Sequence, residues 1–170
     1  MKNIIDKAAT NYWLQCILNS YSLMFFSLSN VFAIIILIVT FFSPSVGLCG
    51  LLSVMLINVS AYMMGFNRDE IKTGLFGFNA LFLGLALGYE FSFNATFVFL
   101  FITAVLTLLL ITVWLKGLFA TYNLPFLSFP FILSYWAVSL AASNFTNIHL
   151  DETHIYSFND IAADQSSLFY

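Results

Sequence analysis

Two prolines frame a short segment whose oxygens could serve as hydrogen-bond acceptors. Leu124–Phe131 reads LPFLSFPF, with its prolines five residues apart. A proline has no N–H to donate to the carbonyl four residues earlier, so in a helix the carbonyls of Thr121 and Phe126 would stay free. Ser128 adds a hydroxyl between the prolines. Free carbonyls are tolerated inside a membrane protein only where they line a cavity, and rows of carbonyls can replace a solute's hydration. The alternative interpretation is a loop that ends in a helix begun by a proline.

A second segment, Gly74–Gly88, separates small from aromatic side chains around a helix. Its sequence is GLFGFNALFLGLALG, and small residues repeat at every fourth position, at Ala80, Gly84 and Gly88. Phe78 and Phe82, one turn apart, lie about 200° around the helix from them. The small face permits close packing of the GxxxG type, and the two rings could form one wall of a flat slot. On periodicity alone, the rings could equally face lipid or the protein core.

The composition indicates that a membrane surrounds these segments. Of the 170 residues, 61% are apolar and 8% are charged, whereas a soluble domain carries about 25% charged residues. The charged residues leave four long uncharged runs, at 8–67, 73–89, 91–115 and 117–150. Since a transmembrane helix needs about 20 residues, the first run holds two crossings and each of the others holds one. The sequence predicts an all-α, polytopic membrane protein with about five transmembrane helices.

The five predicted crossings are residues 13–42, 46–66, 74–89, 93–115 and about 125–143. The first is broken, because polar residues interrupt the apolar residues of 13–27 and favour a pore half-helix over a complete span. Residues 1–143 therefore form the predicted transmembrane unit. Residues 144–170 carry four of the eight acidic residues and both histidines. They are predicted to be an extracytoplasmic loop or a truncated connector.

All five basic residues lie on one side of these crossings, at Lys2, Lys7, Arg68, Lys72 and Lys116. Cytoplasmic loops carry the excess of lysine and arginine. The N-terminus is therefore predicted to be cytoplasmic, with 144–170 on the outer side. An odd number of crossings means that a fused second copy would enter the membrane inverted. We find no second copy within the 170 residues.

The predicted crossings contain no Asp, Glu, Lys, Arg or His. Ion-coupled pumps and proton relays need such residues at membrane depth, so the sequence disfavours active transport and enzyme catalysis. Passive permeation of a neutral solute, or no transport, remains. A net charge of −3 with five basic residues offers no surface for nucleic acid. We expect no cofactor and no metal, because His149 and His154 lie in the aqueous tail and Cys16 and Cys49 are typical of buried thiols.

Taken in order, these segments resemble the urea transporter family. The family's signature Leu-Pro-x-x-Thr-x-Pro-Phe is similar to Leu124–Phe131, with Ser128 at the threonine position. The stretch Gly77–Ala80 also looks like the family, and Ile17–Phe26 resembles the pore half-helix of its bacterial members. The likeness extends over about residues 15–160. It implies a channel-like urea permease in the inner or plasma membrane, built of two inverted five-span halves around one pore per subunit and usually trimeric.

The resemblance also implies which residues contact urea, since phenyl rings and oxygen acceptors form the filter of the family. It assigns ring contacts to Phe26, Phe78 and Phe131, and it assigns the filter hydroxyl to Ser128.

Two further candidate site residues depart from the family pattern. Leu23 stands where a glutamine usually faces the pore, and this change removes an acceptor. Phe82 stands where a leucine is usual, and its ring narrows the slot. Because of these two departures, the resemblance does not determine the rate of permeation or which small neutral amide is the substrate.

The length of the chain leaves two interpretations of the whole protein. The likeness covers only the first half of the family's inverted repeat, so the chain is either a fragment of the pore or a unit of which two copies assemble one pore. The one-sided basic residues disfavour antiparallel pairing of two copies. An alternative function is a non-transporting membrane fragment or a subunit that packs through the small face of Gly74–Gly88. Solute flux and co-purification with another membrane protein would separate these functions.

Overall fold

The structure is a computed structural model that describes residues 2–27 and 29–142, with side chains described from residue 11 onward. The predicted tail, 144–170, and its two histidines lie outside the described residues. Within the described residues the chain forms seven α-helices and no strand. The all-α class agrees with the sequence prediction. The helices are α1 (Lys2–Leu23), α2 (Asn30–Thr40), α3 (Pro44–Met63), α4 (Arg68–Lys72), α5 (Leu75–Glu90), α6 (Ala95–Ala120) and α7 (Phe129–Ala142).

Two of these helices, α3 and α6, are long and apolar enough to cross a membrane, with 20 and 26 residues. Helices α2, α5 and α7 are apolar but shorter, with 11, 16 and 14 residues. At a rise of 1.5 Å per residue, α5 spans roughly 24 Å, which is less than the hydrocarbon thickness of about 30 Å. The number of five crossings therefore stays a prediction.

Helix α1 differs from the pore half-helix predicted for 13–27. Residues 13–23 are the second half of a helix that begins at Lys2 and ends in a turn, where Phe26 has a left-handed φ of 55°. The polar residues that suggested a pore segment have partners in the protein. Asn19 donates from its side-chain amide to the carbonyl of Lys72 at 2.6 Å, and Ser20 donates to the carbonyl of Cys16 at 2.7 Å. These bonds join α1 to α4 and lie within α1 itself, and the pore half-helix stays a prediction.

The proline segment is a loop followed by a helix that a proline begins, so the alternative interpretation of its secondary structure is the correct one. Helix α7 starts at Phe129, with Pro130 in its first turn. The carbonyl of Phe126 accepts from the N–H of Phe129 at 3.1 Å. The expectation that proline leaves this carbonyl free is wrong, because a turn supplies a different donor.

The small face of α5 packs directly on α3. A Cβ placed on Gly84 would lie 2.5 Å from the carbonyl oxygen of Cys49, and one on Gly88 would lie 2.7 Å from the Cβ of Cys49. Ser53 of α3 donates its hydroxyl to the carbonyl of Ala80 at 2.6 Å. The four-residue repeat of small side chains therefore marks a close helix contact. Cys49, like Cys16, is a buried free thiol, as predicted.

Helix α6 is longer at its end than the predicted crossing 93–115. The sequence predicts Lys116 in a loop, but Lys116 lies within α6, which continues to Ala120. Its ammonium group forms an ion pair with the carboxylate of Glu70 in α4. This partner allows the helix to continue past a charge that the hydropathy pattern treats as a boundary. The outer face of α6 carries large exposed apolar side chains, such as Phe99 and Trp114.

Candidate permeation site

A cavity of about 370 Å³ opens where the end of α1, the start of α5, the end of α6 and the proline loop meet. It contains three of the six predicted site residues, namely Leu23, Phe26 and Phe78. Its full lining is Leu23, Phe26, Leu75, Phe78, Lys116, Ala120, Leu124, Pro125, Phe126 and Leu127. Apart from Lys116 these side chains are apolar, so a polar solute in the cavity would rely on backbone groups for hydrogen bonds.

Four aromatic rings run in consecutive contact between α5 and α7, and we call them the ring row: Phe78, Phe82, Phe131 and Tyr135. The centroids of Phe78 and Phe82 are 6.2 Å apart with nearly perpendicular planes. Those of Phe82 and Phe131 are 5.5 Å apart at 32°, and those of Phe131 and Tyr135 are 6.0 Å apart at 36°. Phe78 is buried and the other three rings are half-buried. The structure thus brings three predicted site residues together from two helices and adds Tyr135, which the sequence reasoning missed.

Phe26 and Ser128 take different positions relative to the ring row. The side chain of Phe26 is 74% exposed at the cavity. Ser128 is half-buried between the cavity residue Leu127 and the first residue of α7. The structure places Ser128 beside the cavity rather than in its lining, and its hydroxyl makes no hydrogen bond within the described part of the chain.

Asn79 lies in the family-like stretch Gly77–Ala80, but the sequence analysis assigns it no role. It is buried on α5 next to Phe78, and its amide donates to the carbonyl of Leu127 at 3.1 Å. Leu127 has a φ of 41°, an uncommon conformation for a bulky residue. The amide of Asn79 holds the proline loop on α5 at this strained position. An amide in the middle of an apolar helix was the signal that could have identified it.

The charged groups of the site lie at its two ends. At the cavity, Lys116 is paired with Glu70, and the side chains are 43% and 26% exposed. At the far end of the ring row, the hydroxyl of Tyr135 donates to a carboxylate oxygen of Glu90 at 2.9 Å. No charged side chain of the described residues lies between these ends. The arrangement suits a neutral, flat solute better than an ion.

The described residues contain no group of three or more His, Cys, Asp or Glu side chains that could hold a metal. The groups that meet at this site are aromatic rings, backbone carbonyls and a few polar side chains, which can bind and orient a solute.

Comparison with known proteins assigns this architecture to a family. No curated protein matches the chain. The family model described as urea transporter matches residues 14–168, which include the end of α1, the ring row and the proline loop. This match confirms the resemblance inferred from the sequence. It also confirms the prediction that the protein is a membrane protein of a transporter family. Because this match extends over nearly the whole chain, the protein belongs to the urea transporter family.

Proposed function

We propose that the protein carries urea passively across a membrane, as the first half of a two-repeat channel whose wall is the ring row. Family membership supports a membrane location and urea transport in general. The observation that carries the finer proposal is the ring row itself, because α5 and α7 bring Phe78, Phe82 and Phe131 into one continuous file. The file leads from a cavity that Phe26 and Phe78 line.

The chemistry of urea fits these surfaces. Urea is flat, neutral and polar, so ring faces match its shape but offer no acceptor for its N–H groups. An unmade hydrogen bond of a buried polar group costs about 1–3 kcal/mol, and acceptors beside the rings must therefore replace water. Ser128 and Ser134 each lie three residues from Phe131; the hydroxyl of Ser134 is bonded to the carbonyl of Pro130, whereas that of Ser128 has no partner among the described residues. The absence of charged side chains between the two ends leaves no group for ion coupling.

The exposure of the rings supports a second, inverted half on the open side of the site. Phe26 is the most exposed of the predicted site residues at 74%, and an exposed phenyl ring cannot by itself exclude water from a slot. A second half would cover this side and complete the filter. The proposed assembly is a multi-pass protein of the inner or plasma membrane, with the trimeric form that the family resemblance implies.

The proposed orientation has the N-terminus in the cytoplasm and residues 144–170 outside. Reporter fusions at residues 70 and 155 are expected to give signals from opposite sides, because basic residues stay cytoplasmic. A fusion at residue 116, itself a basic position, should match the one at residue 70. Signals from the same side at residues 70 and 155 would contradict the three crossings predicted between these positions, and with them the five-span topology.

The filter assignment predicts that Ser128→Ala slows urea permeation several-fold. The change removes a hydroxyl worth about 0.5–1.5 kcal/mol as a hydrogen-bond partner, at a site where Leu23 already replaces an acceptor. Leu23→Gln should return an acceptor and raise the flux. Stopped-flow light scattering on proteoliposomes measures both, in a fusion that supplies a complete second half.

A matched control is Ser134→Ala, since the hydroxyl of Ser134 is already bonded to the carbonyl of Pro130 at 2.7 Å. Its urea flux should equal that of the wild type. Unchanged flux in Ser128→Ala, with normal insertion, would show that Ser128 serves only the start of α7.

A further inference from the structure

The ring row ends on a carboxylate. Tyr135, the last ring, donates its hydroxyl to one oxygen of Glu90 at 2.9 Å. Glu90 closes α5, while Phe78 lies near the start of the same helix. Twelve residues at 1.5 Å each place Glu90 roughly 18 Å along the helix from Phe78. The row therefore runs between the cavity at one end and the carboxylate of Glu90 at the other.

Glu90 has unused acceptor capacity. Its second carboxylate oxygen makes no hydrogen bond within the described residues. The ion pair of the described residues joins Glu70 and Lys116, at the cavity end of the ring row, and does not involve Glu90. Gly88, two residues before Glu90 in α5, packs on the start of α3 beside Val46 and Cys49. No basic side chain of the described chain neutralises this carboxylate. It is half-buried, so an approaching solute can reach it.

We propose that Glu90 binds urea at the end of the ring row, and that Tyr135 is a positioning residue that orients the carboxylate. This inference rests on the proposed function. Two N–H groups on one edge of urea form parallel donors, and a carboxylate accepts such a pair in the same way as it accepts the fork of an arginine. Urea loses hydrogen bonds to water when it moves onto the ring row, because the rings have no acceptor. The carboxylate of Glu90 replaces these bonds at the end of the row.

The chemistry of Glu90 predicts a second ligand. Guanidinium has the shape of urea, carries a positive charge and presents the same paired donors, so a carboxylate binds it more strongly. Without Glu90, the aromatic rings of the ring row would bind urea and guanidinium with much more similar affinity. Binding of guanidinium that depends on Glu90 is therefore a signature that a purely structural Tyr135–Glu90 contact would not produce.

The test measures line broadening of ¹³C-urea and of ¹³C-guanidinium, the latter at concentrations below those that unfold the protein, with the full chain in lipid nanodiscs. Wild type should broaden both signals relative to empty nanodiscs. Glu90→Gln keeps an oxygen to accept from Tyr135, and it should weaken urea binding roughly tenfold and abolish guanidinium binding. Tyr135→Phe should weaken urea binding but retain guanidinium binding, because the charge stays. The matched control Asp69→Asn, at an exposed carboxylate, should change neither.

Two outcomes separate this inference from the proposed function. If Phe131→Ala abolishes urea broadening while Glu90→Gln retains the broadening of both ligands, Glu90 is not a binding residue and the ring row stands. If wild type broadens urea no more than empty nanodiscs do, both proposals are overturned.

Discussion

Gly84→Ala is expected to lower the free energy of unfolding by about 2 kcal/mol. The added methyl group would lie 2.5 Å from the carbonyl oxygen of Cys49 and would also meet the hydroxyl of Ser53. The hydroxyl can rotate away, but the carbonyl belongs to the backbone of α3, so the two helices must separate. Overpacking of this kind costs typically 1–3 kcal/mol, more than the gain of about 0.5–1 kcal/mol from replacing glycine in a helix.

Gly117 provides the matched control, because a Cβ there would meet nothing within 4 Å. Gly117→Ala should leave stability unchanged or raise it by about 0.5–1 kcal/mol through helix propensity alone. Reversible unfolding in detergent, followed by circular dichroism, measures both variants. Equal effects of the two substitutions would show that α3 and α5 do not pack through Gly84.

Phe82→Leu is expected to raise urea flux several-fold. The ring of Phe82 stands between those of Phe78 and Phe131, at centroid distances of 6.2 and 5.5 Å. A leucine keeps the surface apolar but removes the plane that narrows the slot. The flux is measured by stopped-flow light scattering of proteoliposomes, at equal amounts of inserted protein.

The control for Phe82→Leu is the same substitution at Phe99, whose side chain on α6 is 64% exposed. Phe99→Leu should leave the flux unchanged, because this exposed ring makes no ring contact with a member of the ring row. A flux in Phe82→Leu equal to or below that of the wild type would place Phe82 in a packing role.

The parts of the fold that follow from local patterns could be predicted from the sequence. The repeat of Ala80, Gly84 and Gly88 indicates a close helix contact, because small side chains at every fourth position let two helix backbones approach closely in a membrane. The long apolar runs that became α3 and α6 were predicted within a few residues. The all-helical class follows from the same runs, since continuous apolar runs of about 20 residues suit transmembrane helices, whose backbone groups pair within the segment.

The parts that depend on contacts distant in sequence could not be predicted. No local pattern in α1 reveals that Asn19 bonds to the carbonyl of Lys72, 53 residues away. The conformation of the proline loop depends on Asn79, 48 residues away from Leu127. The contact between Tyr135 and Glu90 likewise requires α7 to lie beside the end of α5.

Urea influx into proteoliposomes tests the proposed channel most simply. The protein is reconstituted alone and together with a second half of the family fold, and stopped-flow traces are compared with those of protein-free vesicles and of the second half alone. With a second half present, we predict influx faster than in both controls, and unchanged when proton and sodium gradients are collapsed. Influx no faster than in protein-free vesicles, in both reconstitutions, would contradict a urea channel built on this chain.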